Sequence, residues 1–218
     1  MIKPTRKKPR QARAQVTVSA ILEATVQVLE REGLDAATTT RIASVAGVSV
    51  GTLYQYFSDR DAIIDALQDR EFERTLALIE RVLSDGNLAS TPREVVIAIV
   101  TGLAGLYASC PGLHRVLAIE GLRVGTSERV RAFDMRVVDL VRHFLGATGA
   151  RIRRKRIDAA AFVAFQSVRA VMLASLLERP PGLDEQTLVE EVADLVLRYL
   201  VRIVPPPRTD ERARVRPA

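Results

Sequence analysis

The chain has 218 residues, is 48% hydrophobic and 27% charged, and carries a formal net charge of +6. Such a composition buries a sizeable core, excludes a disordered chain, and fits one large domain or two small ones. One cysteine, Cys110, excludes an internal disulfide and any Cys cluster; with only His114 and His143 beside it, no metal or cofactor is expected.

The elements predicted in chain order are all helical. A basic arm, 1–16, carries Lys3, Arg6, Lys7, Lys8, Arg10 and Arg13 and no acid. Apolar residues then recur at helical spacing, predicting nine helices at 17–32, 39–46, 50–56, 59–84, 92–109, 112–123, 127–147, 158–178 and 185–203. Ile21, Leu22, Val28 and Leu29 mark the first, which Gly33 ends. Phe72, Leu76, Ile79 and Leu83 mark the fourth. Thr91-Pro92-Arg93-Glu94 is a capping box with proline at the first helical position. Pro180-Pro181-Gly182 breaks the chain before the last helix, and 205–218 reads as a tail. Three short helices crowded into 17–57 and longer apolar ones across 58–204 suggest a small unit followed by a larger bundle, joined by helix 59–84. No apolar run reaches the ~18 residues of a membrane helix. No apolar segment follows the N-terminal charges, so a secretory signal is not expected; the expectation is a reduced, cytoplasmic protein that makes no membrane contact.

The informative stretch is 38–57. Thr38 suits a helix N-cap, Gly47 a left-handed residue leaving that helix, and Ser49 the cap of the next. Leu53 and Phe57, four apart, face the core. Two short helices at a tight turn make a helix-turn-helix, whose second helix enters the DNA major groove. Val50, Gly51, Thr52, Gln55 and Tyr56 lie off the Leu53/Phe57 face. Gln55 suits a bidentate contact to adenine, and Val50 and the Thr52 methyl suit thymine methyls. Tyr54 and Tyr56 reach phosphate oxygens, as does Arg60 at the next helix start. Thr38, Thr39, Arg41 and Ser49 complete the expected DNA-facing set, with Lys7, Lys8 and Arg10 of the arm reaching phosphate or the minor groove.

These residues resemble the DNA-binding domain of the TetR/AcrR family of bacterial transcriptional regulators. The resemblance rests on Ile21-Leu22-Glu23-Ala24, Gly33, Thr38, Ile42-Ala43, Ala46-Gly47-Val48-Ser49, Gly51-Thr52-Leu53-Tyr54 and Tyr56-Phe57, and runs from about Val16 to Leu67. Arg60 stands where the family more often has lysine. The resemblance implies an all-α fold of about nine helices, a homodimer built from the last two long helices, and a repressor whose larger domain binds a small-molecule effector. It implies no enzyme, and no catalytic Ser/His/Asp or Cys/His set or Gly-rich phosphate loop is present.

Polar groups among apolar helices are the candidates for orienting an effector: Tyr107, Cys110, His114, Glu120, Arg123, Gln166 and Arg169, with Phe133 beside them. Glu120 and Arg123, three apart, equally suit an ion pair with each other. For dimerisation through 158–178 and 185–203, small residues (Ala159, Ala160, Ala161, Ala164, Ala170, Ala174) permit close helix approach, and Val189, Val192, Val196 and Leu200 supply apolar area. A twofold dimer expects a palindromic double-stranded operator. The main alternative is a sequence-tolerant architectural DNA binder using the arm and tail, with steep salt dependence.

Overall fold

Apolar stripes at helical spacing are hidden most simply by packing helix against helix, and the computed structural model contains nine helices among the described residues. These residues are 8–84, 91–123, 127–148, 155–178 and 180–201, with the backbone alone for 8–12, 122, 123 and 148. The helices are α1 (Lys8–Arg31), α2 (Thr39–Ala46), α3 (Val50–Tyr54), α4 (Arg60–Ser84), α5 (Pro92–Ser109), α6 (Pro111–Arg123), α7 (Glu128–Thr148), α8 (Ile157–Glu178) and α9 (Glu185–Leu200).

Their ends follow local chemistry. Thr38 accepts the Arg41 N–H, Ser49 that of Thr52, and Asp184 that of Thr187. Both halves of the Thr91/Glu94 capping box are formed. Gly47 leaves α2 at φ 68°, where a side chain would be strained. Three boundaries differ from the sequence expectation by more than one residue: α9 ends at Leu200 rather than 203, because Val201 turns extended at φ −102° and ψ 145°, and the other two lie at α1 and α3. α1 begins at Lys8 rather than 17, so most of the expected arm is helix. Residues 10–15 are all good helix formers, and Pro9 falls in the first turn, where no hydrogen bond is lost. α3 stops at Tyr54 rather than 56, because the Gln55 and Tyr56 N–H groups turn to the Thr52 and Leu53 carbonyls, tightening the last turn.

Two main cores result. The first joins α1, α2, α3 and the N-terminal half of α4 around Ile21, Ile42, Leu53, Ile63 and Leu67, and α6 inserts Leu113, Val116 and Leu117 into it. The second joins α5, α7, α8 and α9 around Val100, Leu145, Ala161, Met172 and Val192. A smaller cluster, Leu76, Ile79 and Val137, ties the C-terminal half of α4 to α7. α4 therefore runs from the first core into the bundle. Gly112, at the start of α6, lies against α1: a Cβ there would sit 3.1 Å from Glu30 Cα. The Glu30 carboxylate accepts the Leu113 N–H at 2.7 Å, so a side chain of α1 caps the N-terminus of α6.

α8 corrects one expectation. By length and composition it is apolar enough to cross a membrane. Its apolarity comes from alanines spread among larger residues, which a search for a run of bulky side chains overlooks. Phe162 and Val163 of α8, and Leu195 of α9, remain exposed.

Candidate nucleic-acid interface and enclosed cavity

The residues of 38–57 divide by what holds them. Leu53 and Phe57 are buried, fixing α3 on the first core. Val50 packs partly against that core, which corrects its expected place on the outward face: at the first position of α3 it lies one turn from Leu53. Thr38 and Ser49 are caps, and the Ser49 and Thr52 hydroxyls lie 2.8 Å apart, so both are partly engaged within the turn. Arg41 is clamped: its Nε donates to both Glu32 oxygens and its Nη2 to Oε1 at 2.7 Å. The same fork holds the Glu32 carboxyl below the ordinary range. That pair fastens α2 to the end of α1.

Gly51, Tyr54, Gln55 and Tyr56 are exposed together. Tyr54 Oη lies 3.2 Å from Thr39 Oγ1, linking α3 to the start of α2. A Cβ on Gly51 would meet only Ser49 Oγ, at 3.8 Å, so nothing within the fold requires glycine there. Arg60 opens α4, with its Nε 3.3 Å from Asp61. Asp59 caps that helix by accepting the Ala62 N–H, a bond that holds the Asp59 carboxyl low. The surface therefore offers a short helix with an open backbone at Gly51, flanked by tyrosine hydroxyls, an amide and a cation. Lys7, and the side chains of Lys8 and Arg10, lie outside the described residues.

A cavity of about 210 Å³ lies between α4, α5, α6, α7, α8 and α9, far more than one or two waters fill. Its walls are mostly apolar. Phe72 and Phe133 stack with centroids 4.1 Å apart, and Phe165 meets Phe133 edge-on. Of the expected effector residues, Tyr107, His114, Phe133 and Arg169 line it. Cys110 instead packs against the first core. Gln166 reaches Asp134 at 3.4 Å, and Glu120, like Gln166, is not on the wall. The Arg123 side chain lies outside the described residues.

Two polar groups of the wall are charged and buried or half-buried. Arg169 donates to Asp134 Oδ2 at 2.6 Å, and Asp134 Oδ1 is buried without a partner. Glu71, 4% exposed, was not anticipated, although its spacing from Ile64 and Leu67 places it on the buried stripe of α4. Burial pushes its carboxyl up, but His114 and Arg74 outweigh this and hold it below the ordinary range. The His114 Nδ1 lies 2.9 Å from the Cys110 carbonyl, which only accepts, so Nδ1 carries a proton. Nε2 faces Glu71 Oε2 across 3.5 Å and has no hydrogen bond. Tyr107 packs its ring 4.9 Å from His114, and burial raises its phenol. No group of three or more metal-ligating side chains is present among the described residues.

Two family models match the chain. Residues 21–67 match the model for bacterial regulatory proteins of the tetR family, and 91–200 that for the tetracyclin repressor-like C-terminal domain. The nucleoid occlusion factor SlmA of Actinobacillus pleuropneumoniae serotype 5b is 31% identical over 118 residues, 54% of this chain and 56% of that protein. The one from Marinomonas sp. is 28% identical over 121 residues, 56% and 59% of the two. The match thus spans less than two thirds of either relative. Among solved structures, SmeT, the repressor of the Stenotrophomonas maltophilia multidrug efflux pump SmeDEF, superposes with a TM-score of 0.67 at 20% identity, covering 87% of this chain and 92% of that one. The fatty acid degradation regulator FadR of Bacillus halodurans gives 0.64 at 23%, covering 82% and 97%. At such identities the likeness is one of fold.

Proposed function

Because the chain belongs to the TetR family of bacterial regulatory proteins, and is thus a DNA-binding transcriptional regulator, we propose that it is a repressor that binds a palindromic operator as a homodimer and is released by a small-molecule effector. The observation that carries the reading is α3 with the turn after it, residues 50–57. Its inner residues Leu53 and Phe57 are sunk in the core, while Gly51, Tyr54, Gln55 and Tyr56 stand outward beside one another. A helix held so rigidly from behind positions an amide and hydroxyls for base edges and phosphates.

In this reading Gln55 reads bases, Tyr54 and Tyr56 hold phosphates, and Arg60 adds a contact at the α4 N-terminus. Thr38, Ser49 and Arg41 act by positioning α2 and α3. Residues 17–57 with the start of α4 form the DNA-binding unit, and the remainder of the bundle binds effector and partner. The dimer seam is the outer face of α8 and α9. Phe162, 54% exposed, and Leu195, 50% exposed, leave apolar area there that a second copy covers.

The effector cavity touches α4 and α6, both of which enter the first core. An effector that fits only one arrangement of these helices changes the spacing of the two α3 helices, and acts through its difference in affinity for the two states. Selection of bound duplexes from a random library, at physiological salt, tests the proposal. An enriched palindrome supports it. Salt-sensitive binding with no enriched sequence contradicts it in favour of an architectural binder.

A further inference from the structure

The polar end of the cavity indicates the chemistry of the effector, an inference that rests on the effector reading above. Nε2 of His114 and Oε2 of Glu71 face each other across 3.5 Å, longer than the roughly 2.7–2.9 Å of a charge-assisted bond. His114 is 6% exposed and its Nε2 has no hydrogen-bond partner. Both residues line the cavity. Nδ1 is committed to the Cys110 carbonyl, so the ring cannot turn Nε2 elsewhere without losing that bond. The cations paired with Glu71, Arg70 at 3.3 Å from Oε1 and Arg74 at 3.2 Å from Oε1 and 3.3 Å from Oε2, are not on the cavity wall. At the other polar wall Arg169 is paired with Asp134, which is not itself on the wall.

The cavity therefore presents the Glu71 carboxylate and an unpartnered His114 Nε2 at one end, and at the other a guanidinium already paired with Asp134. We infer that the effector is an apolar molecule bearing a hydrogen-bond donor, a hydroxyl or an ammonium, that sits between Glu71 and His114. A hydroxyl donates its one proton to Glu71, and its lone pair accepts from Nε2 when that nitrogen carries a proton. An ammonium donates to Glu71 and, when Nε2 is unprotonated, to both. A carboxylate or phosphate head group is repelled by Glu71. The hydrocarbon body lies against Phe72, Phe133 and Phe165.

The test is calorimetric titration of the full-length protein, without DNA, using decanol, decylammonium and decanoate at neutral pH. The three share a chain and differ in head group. Decanol or decylammonium should bind at least about tenfold tighter than decanoate, and Glu71→Gln should lower the affinity for decylammonium by about as much while sparing decanol. Tighter binding of decanoate overturns the donor inference and leaves the effector reading standing. Binding of none of the three overturns both. The comparison of head groups on the wild-type chain decides the inference even if Glu71→Gln fails to fold.

Discussion

Replacing Gly51 with alanine separates folding from DNA binding, because the two should move in opposite directions. Gly51 is exposed on α3 with no left-handed backbone, and the new methyl would meet only Ser49 Oγ at 3.8 Å. No strain opposes the change. Alanine is favoured over glycine in a helix by up to about 1 kcal/mol, and it also narrows the unfolded ensemble. For a chain of this size each kcal/mol raises Tm by about 2–4 °C, so Gly51→Ala should melt at the wild-type temperature or a few degrees above. If the bare backbone at Gly51 lies against DNA, the methyl displaces that approach at a cost of about 1–3 kcal/mol, on the scale of a mismatched base pair. Operator affinity then falls about fivefold to 150-fold. Thermal unfolding by circular dichroism and anisotropy of labelled operator measure the two effects. Unchanged operator affinity would refute the placement of Gly51 against DNA, and a lowered Tm would show that glycine serves the fold itself.

Three further outcomes follow from the packing. Gly112→Ala drives a Cβ to 3.1 Å from Glu30 Cα and 3.0 Å from its carboxylate, so α1 and α6 must separate; Tm should drop by several degrees, corresponding to about 1–3 kcal/mol of overpacking, and effector-induced operator release should weaken in a titration. Glu71 is held below its ordinary range when folded, so its contribution to stability is present above the unfolded value and lost as pH falls through the folded one; denaturant melts from about pH 5 to 3 should lose stability more steeply for wild type than for Glu71→Gln. Leu195→Glu changes a residue half-exposed on the single chain, so light scattering should report a monomer at micromolar protein while circular dichroism keeps its helical signature; a dimer with wild-type affinity would place the seam elsewhere.

What the sequence disclosed depended on the range of the interaction. Caps, turns and stripes are local: Thr38, Gly47, Ser49 and Thr91 announce helix ends within four residues, and the structure places each at such an end. Leu53 and Phe57 were legible because four-residue spacing on a short helix admits one buried face. Val50 was not, because whether the first residue of α3 packs inward depends on α1 and α2 beneath it. The junction of α1 and α6 had no local signal at all, since Glu30 and Leu113 are 83 residues apart and an exposed-looking glutamate before a loop looks like any solvated charge. The cavity was legible only in part. Its apolar wall has the same periodicity as a filled core, and an empty volume leaves no pattern in sequence. Glu71 did carry a signal, an acid in register with Ile64 and Leu67, which marks a buried charge that must find partners.

In the proposed function α3 and the turn after it read DNA sequence, with Gln55 touching a base. The most direct measurement is random-duplex selection carried out in parallel with the wild-type chain and Gln55→Ala. Gln55 is exposed and its side chain makes no hydrogen bond among those described, so the variant should fold unchanged. The variant should recover the same palindrome with preference relaxed at one base pair, symmetrically in both half-sites, at a cost of about 1–3 kcal/mol for the wild-type site. An identical preference at every position would contradict this reading and place sequence reading on another part of the molecule.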